Sequence, residues 1–158
     1  MRRGGCCGVG FALVCACTTT ELLAQPPALT PPTQANYMLN CMGCHVADGS
    51  GAAGKVPSLR DTLVPLAMSP AGRRFLVQVP GASQSSLSDL ELAQLLDWMV
   101  RNLSARAVPP DFVDFTAAEV ARYRRYPLVD VRGTRARLLA ATWERFGTMS
   151  GTASGARR

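Results

Sequence analysis

Two cysteines and the chain's single histidine meet at one place, Cys41-Met42-Gly43-Cys44-His45. Thiols and an imidazole at this spacing can do three kinds of chemistry. They can ligate a metal, cycle between dithiol and disulfide, or fix a porphyrin through thioethers. A structural zinc site needs four Cys or His ligands. Cys6, Cys7, Cys15 and Cys17 all lie in the first 24 residues, which read as a removable leader, so Cys41, Cys44 and His45 are the whole supply and one ligand is missing. A thioredoxin-like dithiol opens a helix after a strand. Here the preceding residues 33–40 are good helix formers with no β-branched run, which puts the pair near the end of a helix. Porphyrin attachment needs this arrangement: two thiols add to the vinyl groups along one ring edge, and the adjacent histidine offers its imidazole to iron.

The residues around the motif extend it. Tyr37 stands four before Cys41. Asp48-Gly49-Ser50-Gly51 and Pro57-Ser58-Leu59 follow His45, and "LSDLELAQLLDWMVRNL" (87–103) carries Trp98. Over residues 33–103 the chain resembles the class I c-type cytochromes. The resemblance implies an all-α, cytochrome c-like domain wrapped around one covalent haem c. Cys41 and Cys44 would hold the haem, His45 would be the proximal iron ligand, and Tyr37, Pro57 and Leu59 would surround it. The Pro57 carbonyl would accept a hydrogen bond from the second nitrogen of His45, orienting the ring. Function would be electron transfer rather than catalysis, with single electrons passing from a periplasmic dehydrogenase to another cytochrome or an oxidase.

One departure bears on the chemistry. Members of the family carry a methionine, usually before a proline, in the loop preceding the last helix; here the dipeptide is Val79-Pro80. Met68 is the expected substitute as distal ligand, Met99 is the second choice, and iron with no protein ligand on that side is the third outcome. A thioether suits an electron shuttle, whereas an open position suits a protein that binds a small gas. A haem subunit of a dehydrogenase complex is a further reading. With no second histidine for acid–base work, an efficient peroxidase is not expected.

The elements that must position these residues are legible as helices. A first helix spans 33–44. Residues 46–67 read as loop, with a short helix over 58–63. Ser69 caps a helix with Pro70 in its first turn, running to Val77, and Pro80-Gly81 ends it. Ser88 and Glu91 form a capping box for the next helix, whose Leu92, Leu95, Leu96, Met99 and Leu103 share one face. That face is expected to pack on the first helix. Beyond residue 104 comes a helical extension, 105–147. Val108-Pro109-Pro110 is a joint, Thr116 and Glu119 form a second capping box, and Pro127 stops that helix. Asp130 caps a last helix with Val131, Leu138, Leu139, Trp143 and Phe146 on one side. Residues 148–158 read as a disordered tail.

At the other end, Arg2 and Arg3 precede a short apolar stretch, too short to span a bilayer. It reads as a signal peptide (1–24) cut after Ala24, followed by a proline-rich linker (25–32). Export to the periplasm agrees with haem attachment there. A cut before Cys17 would instead leave a lipid anchor, and a membrane is an expected partner only in that case. The chain carries a formal +6. From 25 to 103, five basic residues balance five acidic ones, whereas from 104 onward ten arginines face five acids. The excess belongs to the extension, either as a docking surface for an acidic partner or as a solvated face. Nucleic acid is not an expected partner.

Overall fold

The computed structural model describes the backbone of residues 33–151 and the side chains of residues 33–142. The expected leader, its Cys17, the proline-rich linker, residues 152–158 and the side chains of Trp143 and Phe146 lie outside the described residues. Those described belong to one compact unit. Its elements are all helical: α1 (Thr33–Asn40), α2 (Met42–His45), α3 (Leu63–Ala67), α4 (Pro70–Gln78), α5 (Pro80–Ser83), α6 (Asp89–Asn102), α7 (Ala117–Tyr123) and α8 (Val131–Gly151). An isolated bridge between Ala52 and Val56 is the sole β pairing among the described residues. The fold is all-α, as expected.

Helices α1 and α2 are the predicted first helix with a turn at Cys41. The Cys41 N–H donates to the Tyr37 carbonyl at 2.9 Å and the His45 N–H to the Cys41 carbonyl at 3.0 Å. Val46 ends the run at φ +55°. A β-branched residue is strained there. The Tyr37 hydroxyl, donating to the Val46 carbonyl at 2.6 Å, offsets that strain and pins the corner. Tyr37 is buried, and its ring lies 5.5 Å from that of Trp98 on α6. Helix α1 thus packs on α6 as the apolar face of α6 predicts.

The short helix expected over 58–63 forms later, as α3. Residues 58–62 are spent on turns: the Ser58 hydroxyl accepts from Arg60 N at 3.2 Å, and Leu59 N donates to the Gly49 carbonyl at 2.8 Å. All five residues of α3 are buried, so burial of the Leu-Val-Pro-Leu-Ala run decides where the helix sits. Ser69 caps α4 by accepting from Gly72 N. Pro80-Gly81, expected to end a helix, also starts α5, because proline fits the first helical turn. On α6 both halves of the Ser88–Glu91 box form. On α7 one half is formed: Thr116 accepts from Glu119 N, but the Glu119 carboxylate is bound by Arg73 of α4. Asp130 caps α8 through Gly133 N at 2.8 Å. Helix α8 continues to Gly151, so residues 148–151, expected to be disordered tail, are helical.

The core joins Tyr37 of α1, the α3 residues, Phe75, Leu76 and Val77 of α4, and the inner face of α6. Phe115 and Val120, from beyond residue 104, belong to it as well. The extension is therefore part of the body and not an appendage. Among the described residues no helix is long and apolar enough to cross a membrane.

Candidate functional site

Cys41, Cys44, His45, Pro57 and Leu59 all line one apolar cavity of about 310 Å³. The loop 46–62 brings the last two to the motif. Among the bonds that fold its backbone back, Gly51 N donates to the His45 carbonyl at 3.1 Å, Leu59 N to the Gly49 carbonyl at 2.8 Å, and Ala52 N to the Val56 carbonyl at 2.9 Å. Gly51 has φ +72°, and a Cβ there would lie 2.5 Å from the Val56 carbonyl oxygen. The return of the chain beside His45 therefore demands glycine at this position. Most of the rest of the wall is aliphatic or aromatic, including Leu63 and Leu66 of α3, Phe75 and Leu76 of α4, and Leu92, Leu95, Leu96 and Met99 of α6; Asn40, Thr62, Ser85 and Arg135 are its polar members.

Cys41 is half-buried and Cys44 exposed, and the two thiols are not joined to each other. Burial, with a smaller contribution from Cys44, pushes the Cys41 thiol up to about 11. A redox-active dithiol needs the opposite, a thiol held low by positive surroundings. Burial also lowers the basicity of His45; the Pro57 carbonyl acts against it, and Arg135 acts with it. Pro57 is thus beside the imidazole as expected. The Pro57 carbonyl interacts with the imidazole, but no contact of full hydrogen-bond geometry reaches the buried Nδ1 of His45. Among the described residues no group of three His, Cys, Asp or Glu side chains is placed to hold a metal ion by itself.

Tyr37 and Met68 do not line the cavity. Tyr37 acts from behind it, bracing the corner after His45. Met68 is the C-cap of α3 and packs, partly buried, against the core. Met99, the second choice as sulfur donor, does line the cavity, and so does Val79, which stands where the resemblance implies methionine. Sequence reasoning missed Val131 and Arg135 of α8, which complete the wall from the extension. The available signal was an arginine four residues after Val131, on the same stripe as Leu138 and Leu139.

The residues fit an organic group held at one edge by thiols. Interiors hold few voids larger than a water molecule, whereas organic-ligand pockets run from about 300 to 1,000 Å³. This cavity is of ligand size, is apolar, and has both thiols and an imidazole in its wall. No protein-family model, curated protein or solved structure matches the chain.

Proposed function

We propose that the protein is a monohaem c-type cytochrome that carries single electrons in the periplasm. Cys41 and Cys44 would hold the haem through thioethers, and His45 would give it an axial nitrogen. A bound haem would supply a ferric–ferrous couple. The chain's own residues exclude water through the leucines of α3 and α6 and orient His45 through the Gly51 N–H on its carbonyl and the Pro57 carbonyl beside its ring. The single observation that carries the reading is the placement of Cys41, Cys44 and His45 together in the wall of a ligand-sized apolar cavity. Expected partners are a donor dehydrogenase and an acceptor cytochrome or oxidase.

The test is acid–acetone extraction of protein matured in a host with haem-attachment machinery. Colour should stay with the polypeptide, and Cys41→Ala plus Cys44→Ala should abolish it. Extraction of all colour from the wild type would overturn the reading.

A second reading is a haem protein that binds a small gas. It is favoured by Val79 in the cavity wall and by Met68 outside it. Rapid carbon monoxide binding to the untreated ferrous protein would select it; slow or absent binding would select the shuttle.

A further inference from the structure

Pro57, Val131 and Arg135 form a wall common to the apolar cavity and to an open groove of about 470 Å³ beside it. Lys55 and Arg132 also line that groove. The charged and titratable side chains around the shared opening are therefore Cys41, Cys44 and His45 on the cavity side, and Lys55, Arg132 and Arg135 on the groove side. Among the described residues no carboxylate lines either space. Five arginines elsewhere, Arg60, Arg73, Arg101, Arg124 and Arg137, each pair with an aspartate or glutamate, and Arg74 and Arg122 lie over the Tyr123 ring. Arg135 is partly buried, and its guanidinium reaches two neutral acceptors, the Ser58 carbonyl at 3.3 Å and the Thr62 hydroxyl at 3.4 Å. Both bonds are long. A guanidinium withdrawn from water without an anion is poorly compensated. Its planar fork matches a carboxylate held by two parallel bonds.

We infer that Arg135, with Lys55 and Arg132 beside it, receives a carboxylate of the organic group whose apolar body the cavity holds. The ligand class is an amphiphile, apolar over most of its surface and anionic at the end that emerges beneath α8. This rests on the proposed function, because haem c carries two such carboxylates on an otherwise apolar ring. It makes the C-terminal helix a wall of the cofactor site, with a role for at least part of its positive charge. Arg135 is then a binding residue that the resemblance over 33–103 does not cover.

The test is amidation of the folded holoprotein with a water-soluble carbodiimide and glycine methyl ester, followed by trypsin and mass spectrometry. The tryptic peptide ending at Lys55 contains Cys41, Cys44 and His45, and Asp48 is its one acidic side chain if cleavage follows Ala24. Its mass reports whether the haem is covalently present, and exposed Asp48 sets the reference rate. In the wild type, at least one haem carboxylate should react tenfold or more slowly than Asp48. Arg135→Gln should remove that protection, Arg135→Lys should keep part of it, and Arg137→Gln, in a residue outside both spaces, should change nothing. Haem present with every carboxylate reacting as fast as Asp48, or protection unchanged in Arg135→Gln, overturns the inference and leaves the cytochrome reading standing. A peptide of bare polypeptide mass overturns both. Should Arg135→Gln fail to fold, the wild-type rate against Asp48 decides alone.

Discussion

Arg73 offers the sharpest test of how the extension is held to the body. Its Nε and Nη2 donate to the two Glu119 carboxylate oxygens at 2.8 and 2.6 Å. Its Nη1 donates to the Val113 carbonyl at 2.7 Å, and the guanidinium carbon sits 3.8 Å from the Phe115 ring centroid. The Arg73 and Glu119 side chains are 14% and 16% exposed. Arg101 and Asp114 also pair, but at 48% and 63% exposure. The difference in burial sets the expected magnitudes. Removing one partner of a buried, hydrogen-bonded ion pair costs about 3–5 kcal/mol, since the other charge is stranded. An exposed pair contributes up to about 1 kcal/mol. Arg73→Ala is therefore expected to lose about 4 kcal/mol, including its stacking on Phe115, and Arg101→Ala under about 1 kcal/mol. Urea unfolding of the full-length protein measures both, with an unchanged m-value required for the comparison. A double-mutant cycle with Arg73→Met and Glu119→Gln should show a coupling of about 2–3 kcal/mol. If Arg73→Ala proves as mild as Arg101→Ala, or the coupling falls below about 0.5 kcal/mol, the clamp does not hold the extension and the reasoning fails.

Asp97 predicts a pH dependence. Burial raises its carboxyl to about 6, and the Phe115 N–H bond, which pulls the other way, does not cancel it. An acid whose pKa is higher in the fold than in the unfolded chain contributes stability in full below about pH 4 and loses it as pH rises through about 6. Asp97→Asn keeps an acceptor for Phe115 without the charge, so it should raise stability at pH 7 by about 1–3 kcal/mol. A stability difference between Asp97→Asn and wild type that is equal in thermal melts at about pH 4 and about pH 7 would refute this. Gly51→Ala should lose more than about 2 kcal/mol, from its positive φ and the close Val56 carbonyl. With the proposed haem bound, it should also perturb the visible spectrum through the bond to the His45 carbonyl; a melt within about 0.5 kcal/mol of wild type would count against the cradle. Met68→Leu, outside the cavity wall, is expected to leave the visible spectrum of the proposed haem unchanged, and a spectral change would bring Met68 back as the sulfur donor.

Ser69, Ser88, Thr116 and Asp130 all cap as predicted, because a cap depends on a side chain and a backbone N–H three residues apart. The loop of 46–62 was legible through glycines that a tight return requires. Two things were not legible because they depend on partners far along the chain. Glu119 was expected to complete a box with its own N-cap backbone; instead it bonds Arg73, 46 residues away. A bidentate guanidinium is the stronger partner for a carboxylate than a single exposed amide, so tertiary electrostatics overrode the local motif. In the sequence Arg135 stands out only as part of a positive balance. Its position on the stripe of Val131, Leu138 and Leu139 shows that the helix turns a cation inward with its leucines. An inward arginine is costly unless something anionic meets it. The charge count of the extension therefore says less about its role than the face on which each arginine stands.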